Sequence, residues 1–162
     1  RAPLLMAGAK AGGARVVNLA SEYAGELDLS DLQFEKRAYD GTSAYKASKQ
    51  ADRMITAHAA EVLFPAGSGV TVNACHPGVV TSKLLKGLGM SSGFNSASEG
   101  AETPLFLAMD PSVAGVSGRY YVAKKETPCR FSGDKRACRA LWEACRAIHD
   151  RVLGGKGPSS EL

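Results

Sequence analysis

The sequence predicts an α/β fold in which helices cover both faces of a mostly parallel sheet. Two short runs rich in β-branched residues, 15–21 and 70–75, are typical of strands that are buried on both faces. A long stretch of good helix formers, residues 43–64, separates them. A third short strand is predicted over residues 118–123. This alternation is that of parallel strands joined by crossover helices.

The first elements follow from local composition. Residues 1–10 are rich in Ala and Leu and predict the last turns of a helix, which Gly12 and Gly13 end. The strand at residues 15–21 comes next. Residues 22–42 are polar and irregular, so we expect a loop that contains a turn or a short helix.

The long helix over residues 43–64 has clear start and stop signals. Thr42 or Ser43 can cap its N-terminus through a side-chain oxygen. Pro65 and Gly67 end it, and the strand at residues 70–75 follows.

The C-terminal part predicts a loop and two helices. Residues 83–98 are rich in Gly and Ser and have little periodicity, so we expect a mobile loop that forms a lid over a site. Ser96-x-x-Glu99 is a capping-box pattern that opens a helix ending near Met109. Residues 134–153 predict a C-terminal helix. We expect one partial domain over residues 1–153 and a disordered tail over residues 154–162.

Composition excludes several classes of protein. The chain has 162 residues, 44% of them hydrophobic and 22% charged, which predicts one folded domain and excludes a disordered or collagen-like chain. The net charge of +4 comes from scattered basic residues, and 7% aromatic content is too low for a base-stacking platform. We therefore expect no nucleic-acid partner. No apolar run approaches the ~20 residues that cross a bilayer, so we expect no transmembrane segment.

The four cysteines form no C-x-x-C pair, so the sequence predicts no metal site. They are typical of reduced thiols, which favours an intracellular location in the cytoplasm or an organelle. The chain begins at Arg1, inside the first predicted helix and without an initiator Met. We expect it to be a piece of a longer protein, whose upstream part would carry any targeting signal.

Tyr45 and Lys49 form the motif with the clearest chemistry. They are four residues apart on a predicted helix and therefore share a face. A phenol has a pKa of about 10. A nearby ammonium favours the phenolate and lowers this pKa, so Tyr45 could exchange a proton with a substrate oxygen. The alternative is a solvated helix start, because Y-x-x-x-K patterns are common.

Two further features lie where strands end. Ser21 closes the first strand, and Pro77-Gly78 follows the second, so both lie at the sheet edge where open parallel sheets bind ligands. Val79 offers backbone groups there, and Ser82 a hydroxyl. The alternatives are a serine that bonds nearby backbone and a simple turn. His76 is interpreted as structural.

These motifs, in this order, resemble the short-chain dehydrogenase/reductase (SDR) family. The match covers about residues 1–152, and Asp31-Leu-Gln33 and Gly118-Arg-Tyr-Tyr-Val are closest to its retinol-dehydrogenase-like branch. The main matching segments are Arg15-Val-Val-Asn-Leu-Ala-Ser21, Ser43-Ala-Tyr45-Lys-Ala-Ser-Lys49 and Gly69-Val-Thr-Val-Asn-Ala-Cys-His-Pro77-Gly78-Val-Val.

The resemblance implies hydride transfer between NAD(P)H and a carbonyl, or its reverse, on a small, lipophilic alcohol or carbonyl substrate. Tyr45 would be the catalytic acid/base. Lys49 would bind the nicotinamide ribose hydroxyls and lower the pKa of Tyr45. Ser21 would polarise the substrate carbonyl, although Ala20 replaces a Ser that is common in the family.

The same resemblance implies the cofactor contacts. Pro77, Gly78 and Val79 would line the nicotinamide, with the Val79 backbone on its carboxamide, and Ser82 matches a position that is often Thr. The cofactor would be NAD or NADP, with NADP slightly favoured. A homodimer through the helix that follows Tyr45 is also consistent with the family.

The Gly-rich turn that holds a dinucleotide pyrophosphate is missing from the sequence. Gly8-x-x-x-Gly12 precedes a strand instead of following one. The sequence therefore predicts the C-terminal half of a Rossmann-type doubly wound parallel sheet, three-layer α/β/α, without its N-terminal Gly-rich half. The first strand would then be an apolar edge, so we expect self-association and weak dinucleotide binding.

Two alternatives stay open from the sequence. The chain could be a truncated or degenerate family member that acts only as an interaction module. A light-dependent protochlorophyllide reductase is a more distant alternative within the family, because Ala44-Tyr-Lys-Ala-Ser-Lys49 also resembles its motif.

Overall fold

A computed structural model describes residues 2–153, so the tail predicted at residues 154–162 lies outside the described residues. The described part contains a sheet and flanking helices. Its strands are β1 (Ala14–Leu19), β2 (Val70–His76), β3 (Tyr120–Val122) and β4 (Lys125–Glu126). Its α-helices are α1 (Ala2–Lys10), α2 (Gly41–His58), α3 (Lys83–Gly87), α4 (Ala97–Met109) and α5 (Lys135–Val152).

The sheet has the strand order β1-β2-β3-β4. The first three strands are parallel, with Val17 opposite Asn73 and Ala74 opposite Tyr120. β4 pairs antiparallel with β3. The prediction of an α/β fold with a parallel sheet is confirmed, and the carboxyl ends of β1, β2 and β3 meet at one edge.

Helices cover both faces of this sheet because successive strand side chains point to opposite faces. On one face, Cys75 and Tyr121 pack with Leu107 of α4. On the other face, Val72 packs with Ala59, just beyond the C-terminus of α2, and α1 covers the same side. These are the three layers that the sequence predicts. A separate cluster joins α5 to the outer side of α2.

The N-terminus of α2 differs from the prediction. The capping residue is Asp40, whose Oδ1 accepts the backbone N–H of Ser43 at 2.7 Å, so neither Thr42 nor Ser43 is the cap. The α-helix ends at His58, and a π-helical turn, Ala59–Leu63, completes the predicted length.

The loop at residues 20–40 contains no helix among the described residues, and a buried carboxylate orders it. Asp31 Oδ1 accepts the backbone N–H groups of Glu35 at 2.7 Å and Lys36 at 3.2 Å. This loop carries the chain from the end of β1 to the cap of α2.

Two elements were not predicted. The Gly-rich segment after β2 is not wholly irregular, because it contains the short helix α3, which Ser82 caps by accepting the backbone N–H of Leu85. β4 forms a tight hairpin with β3 in a stretch for which the sequence predicts no element. The predicted capping box of α4 is confirmed, with both hydrogen bonds between Ser96 and Glu99 present.

Candidate active site

One cavity opens at the edge where the parallel strands end. Ser21 lies two residues beyond β1, Pro77 directly follows β2, and Tyr45 lies near the start of α2. These positions converge on a cavity of about 470 Å³. Ligands of open parallel sheets bind at this edge, so the location matches the sequence-based expectation.

The cavity brings together all but one of the predicted site residues. The predicted residues that line it are Ser21, Tyr45, Pro77, Gly78, Val79 and Ser82. Lys49 does not line the cavity, but its Nζ lies 6.0 Å from the centroid of the Tyr45 ring.

Ser21 is buried and held by its own neighbours. Its Oγ accepts the backbone N–H of Tyr23 at 3.1 Å, and its carbonyl oxygen accepts a hydrogen bond from Arg53 at 3.3 Å. Because the hydroxyl uses a lone pair in the first contact, its hydrogen stays available to an acceptor in the cavity.

Lys49 is anchored beside Tyr45 by two contacts. Its Nζ donates to the Leu19 carbonyl oxygen at 2.7 Å and to Asp52 Oδ2 at 3.0 Å. An ammonium has three hydrogens, so one is left for a further acceptor. The sequence analysis did not identify Asp52 as a partner of Lys49.

Gly78 and Asn95 fix the turn after β2. Gly78 has a φ of 91°, in the left-handed region, and a Cβ there would collide with the Asn95 side chain. Asn95 Oδ1 accepts the Val79 N–H at 3.0 Å, while the Val79 carbonyl oxygen accepts from Phe94 and Asn95. Both backbone groups of Val79 are therefore engaged within the protein.

One end of the cavity is polar because of two residues that the sequence did not assign to the site. Glu22 and His76 both line it, with 3.5 Å between Glu22 Oε2 and His76 Nε2. Burial lowers the pKa of His76, and Arg53 acts in the same direction against the opposing effect of Glu22. The ring is therefore neutral at pH 7, and its buried Nδ1 has no hydrogen-bond partner.

Another part of the cavity wall is apolar. Leu84 and Leu85 come from α3, and Leu88 and Met90 follow it. The predicted lid segment therefore contributes this wall. Its Leu residues were a usable signal, because a hydrophobic pair inside a Gly-rich segment needs a packing partner.

A buried arginine supports Ser21 from behind. The Arg53 guanidinium lies 3.8 Å from the centroid of Tyr120 and 4.9 Å from that of Phe131. Its Nε donates to Cys129 Sγ at 3.3 Å. Burial raises the pKa of Tyr120 to about 12, so this hydroxyl stays protonated. The sequence gives no signal for this cluster, because its members are far apart in the chain.

Metal-binding and membrane-spanning features are absent from the part of the chain that the structure describes. There, no group of three or more His, Cys, Asp and Glu side chains could hold a metal ion. The four cysteines are free thiols. None of the helices between residues 2 and 153 has the length and hydropathy needed to cross a bilayer.

Comparison with known proteins identifies relatives by sequence, although no profile of a protein family matches the chain. Human Retinol dehydrogenase 13 is 34% identical over 90% of this chain and 47% of that protein. The Polyprenol dehydrogenase of Mus musculus is 33% identical over 98% of this chain and 50% of that protein. The chain thus spans about half the length of these relatives.

Solved structures agree on the fold. An uncharacterised protein from Mycobacterium paratuberculosis superposes with a TM-score of 0.63 and 24% identity, over 84% of this chain and 50% of that one. The carbonyl reductase Sniffer of D. melanogaster superposes with a TM-score of 0.52 and 20% identity, over 78% and 48%.

Proposed function

Because this chain belongs to the short-chain dehydrogenase/reductase family, we propose that it carries the acid/base part of an NAD(P)-dependent oxidoreductase site that interconverts an alcohol and a carbonyl. The observation that carries the proposal is one cavity lined by Ser21 and Tyr45, with the Lys49 ammonium 6.0 Å from the Tyr45 ring. The relatives named retinol dehydrogenase support the retinol-dehydrogenase-like branch.

In the reducing direction, Tyr45 donates its hydroxyl proton to the substrate oxygen as the carbonyl π bond breaks. Ser21 donates a hydrogen bond to the same oxygen and stabilises the charge that develops on it. The Lys49 ammonium stabilises the phenolate that Tyr45 becomes. A nicotinamide cofactor, when bound, supplies the hydride that forms the new C–H bond. Alcohol oxidation is the reverse.

The residues present fit the nicotinamide end of such a cofactor. Gly78 and Ser82 both line the cavity, and the Ser82 hydroxyl keeps its hydrogen for a further acceptor because its oxygen accepts the backbone N–H of Leu85. The free hydrogen of the Lys49 ammonium suits a ribose hydroxyl. Among residues 2–153, no Gly-rich turn leads from a strand into a helix to hold a pyrophosphate. We infer that the remaining half of the fold binds that part, with NADP slightly favoured over NAD.

The substrate is inferred to be lipophilic. The wall formed by Leu84, Leu85, Leu88 and Met90 offers apolar contact in the same cavity as the proton donor. Ligand sites of this kind combine apolar surface with a few polar groups that fix orientation. The relatives are named for retinol and polyprenol, both long apolar alcohols, which supports the same class here.

Replacing Tyr45 by Phe tests the proposal in the longest natural protein that contains this sequence. We expect turnover of an aldehyde with NADPH or NADH to fall by about 10²- to 10⁴-fold, because the proton donor is lost while the ring packing is kept. Tyr39→Phe is the matched control, since Tyr39 is exposed and outside this cavity. Full activity of Tyr45→Phe, with unchanged circular dichroism, would refute the assignment.

A non-catalytic interaction module is the second candidate. The observation that favours it is the engagement of both Val79 backbone groups by Phe94 and Asn95, which leaves no free partner there for a carboxamide. Failure of the longest natural protein to bind either nucleotide would favour this alternative.

The proposal also covers the cellular compartment and the oligomeric state of the protein. The free state of all four cysteines supports an intracellular compartment, cytoplasmic or organellar. A homodimer stays a prediction from the family resemblance.

A further inference from the structure

The charge of the cavity is set by a single side chain. Among the described residues that line it, no Lys or Arg is present, and Glu22 is the one carboxylate. His76, the other titratable group at this end, is neutral at pH 7 because burial lowers its pKa. The cavity therefore presents a net negative charge beside Ser21 and Tyr45.

The two neighbouring lysines do not cancel this charge, because each is already paired with a carboxylate of its own. Lys46 pairs with Glu26, and Lys49 pairs with Asp52 at 3.0 Å. Arg53 is buried behind the Ser21 carbonyl oxygen and does not line the cavity, whereas Glu22 does. The Glu22 side chain is 61% exposed and has His76 as its neighbour.

The position of Glu22 follows from the sheet. Glu22 directly follows Ser21 in the chain, and Ser21 lies just past the carboxyl end of β1. A substrate whose oxygen contacts Ser21 and Tyr45 would occupy the same cavity that the Glu22 side chain lines. Like charges brought together in a partly desolvated cavity repel, whereas neutral or cationic groups do not.

We propose that Glu22 is a specificity-determining residue that excludes carboxylate- and phosphate-bearing substrates and admits neutral or cationic alcohols and carbonyls. This deepens the proposed function and rests on it for turnover. The electrostatic selection itself is a property of the cavity and can be measured by binding alone. Glu22 needs no role in proton transfer.

The first test measures binding to the longest natural protein that contains this sequence, by fluorine NMR. The probes are 4-fluorobenzyl alcohol and 4-fluorobenzoate at neutral pH, where the second is an anion of similar size. We expect the native chain to bind the alcohol about tenfold or more tightly than the benzoate. Glu22→Gln should remove most of this difference by strengthening benzoate binding. Added salt should reduce the discrimination of the native chain, because the Glu22 carboxylate is exposed to solvent.

Glu102→Gln is the matched control. Glu102 is 55% exposed, pairs with Lys124 and lies outside the cavity, so its loss should leave the ratio of the two dissociation constants unchanged. An unchanged ratio in Glu22→Gln would overturn the proposal, as would equal shifts in both variants. Absence of binding of both probes to both proteins would overturn it too.

A second test uses turnover in the longest natural protein, with benzaldehyde and 4-carboxybenzaldehyde as substrates. Glu22→Gln should raise kcat/KM for the anionic aldehyde about tenfold relative to the neutral one. If the native protein reduces neither aldehyde but the NMR ratio changes as expected, the proposed reaction fails while the charge selection stands. If the native protein reduces both aldehydes and the variant leaves their ratio unchanged, the charge selection fails while the reaction stands.

Discussion

At Gly78, conformation and packing both require the absence of a side chain. Its φ of 91° disfavours any L-residue, and an added methyl group would displace Asn95, which accepts the Val79 N–H. Gly67 has nearly the same conformation, with a φ of 88°, but open space around it. The two glycines therefore separate backbone strain from a steric collision.

We expect Gly78→Ala to lower the free energy of unfolding by about 2–3 kcal/mol, and Gly67→Ala by about 1 kcal/mol, because only the first adds a collision to the strain. Urea denaturation followed by circular dichroism measures both. Adding Asn95→Gly to Gly78→Ala should restore part of the loss. Equal losses at the two glycines would contradict the role given to Asn95.

At the residue scale, the sequence analysis named six residues that line one cavity in the structure. Ser21 and Pro77 were placed at one edge because parallel strands carry their C-terminal residues to the same side, and the structure agrees. Asn95 and Arg53 could not be found in this way. Their contacts with Val79 and Ser21 depend on how loops and side chains fold back over 16 and 32 residues, which no local pattern encodes.

Among the secondary-structure elements, the start of α2 decides where Tyr45 points. The cap is Asp40, and hydrogen bonds from Ser43 hold the pKa of its carboxyl below the usual value. Three residues in the stretch 40–43 are good capping types, so propensity alone does not choose among them. Backbone geometry does, because Asp40 has the extended conformation that a cap requires.

Asp40→Ala should lower the Tm by about 2–4 °C, because it removes the acceptor for an N–H in the first turn. Thr42→Ala should change the Tm by less than about 1 °C, because Thr42 lies inside the helix. The benefit of Asp40 is present above the ordinary carboxyl pKa of 3.8 and disappears as the pH falls through its lowered value. Thermal scans at neutral and acidic pH measure this, and a larger effect from Thr42→Ala would argue against the cap.

The short elements were missed for physical reasons. The hairpin between β3 and β4 turns at Ala123 and Lys124, both with positive φ, where Asn-Gly is the usual signal. Helix α3 has only five residues, too few for a periodic pattern to stand out. Both depend on tertiary packing more than on local preference.

For the whole molecule, the decisive feature is the order of the sheet. Within residues 2–153, β1 is an end strand, paired with β2 alone. Such an edge presents backbone donors and acceptors to another chain. Self-association through this edge is therefore a prediction.

We expect the 162-residue chain to self-associate at micromolar concentration and to bind NADH and NADPH weakly, because β1 is an end strand and residues 2–153 contain no Gly-rich turn between a strand and a helix for a pyrophosphate. Sedimentation velocity over a range of concentrations and fluorescence titration measure the two properties. The longest natural protein serves as the comparison and should bind at least one nucleotide more tightly. A monodisperse chain with micromolar affinity for NADPH would contradict this expectation.

The cluster around Arg53 changes how natural variation in this protein should be interpreted. Phe131 lines no part of the cavity, yet it packs against the guanidinium that hydrogen-bonds to the Ser21 carbonyl oxygen. An inherited substitution at Phe131 would thus act on Ser21, a residue that lines the cavity, from a distant part of the gene product. A genetic survey that scores only the residues around the cavity would classify such a change as harmless.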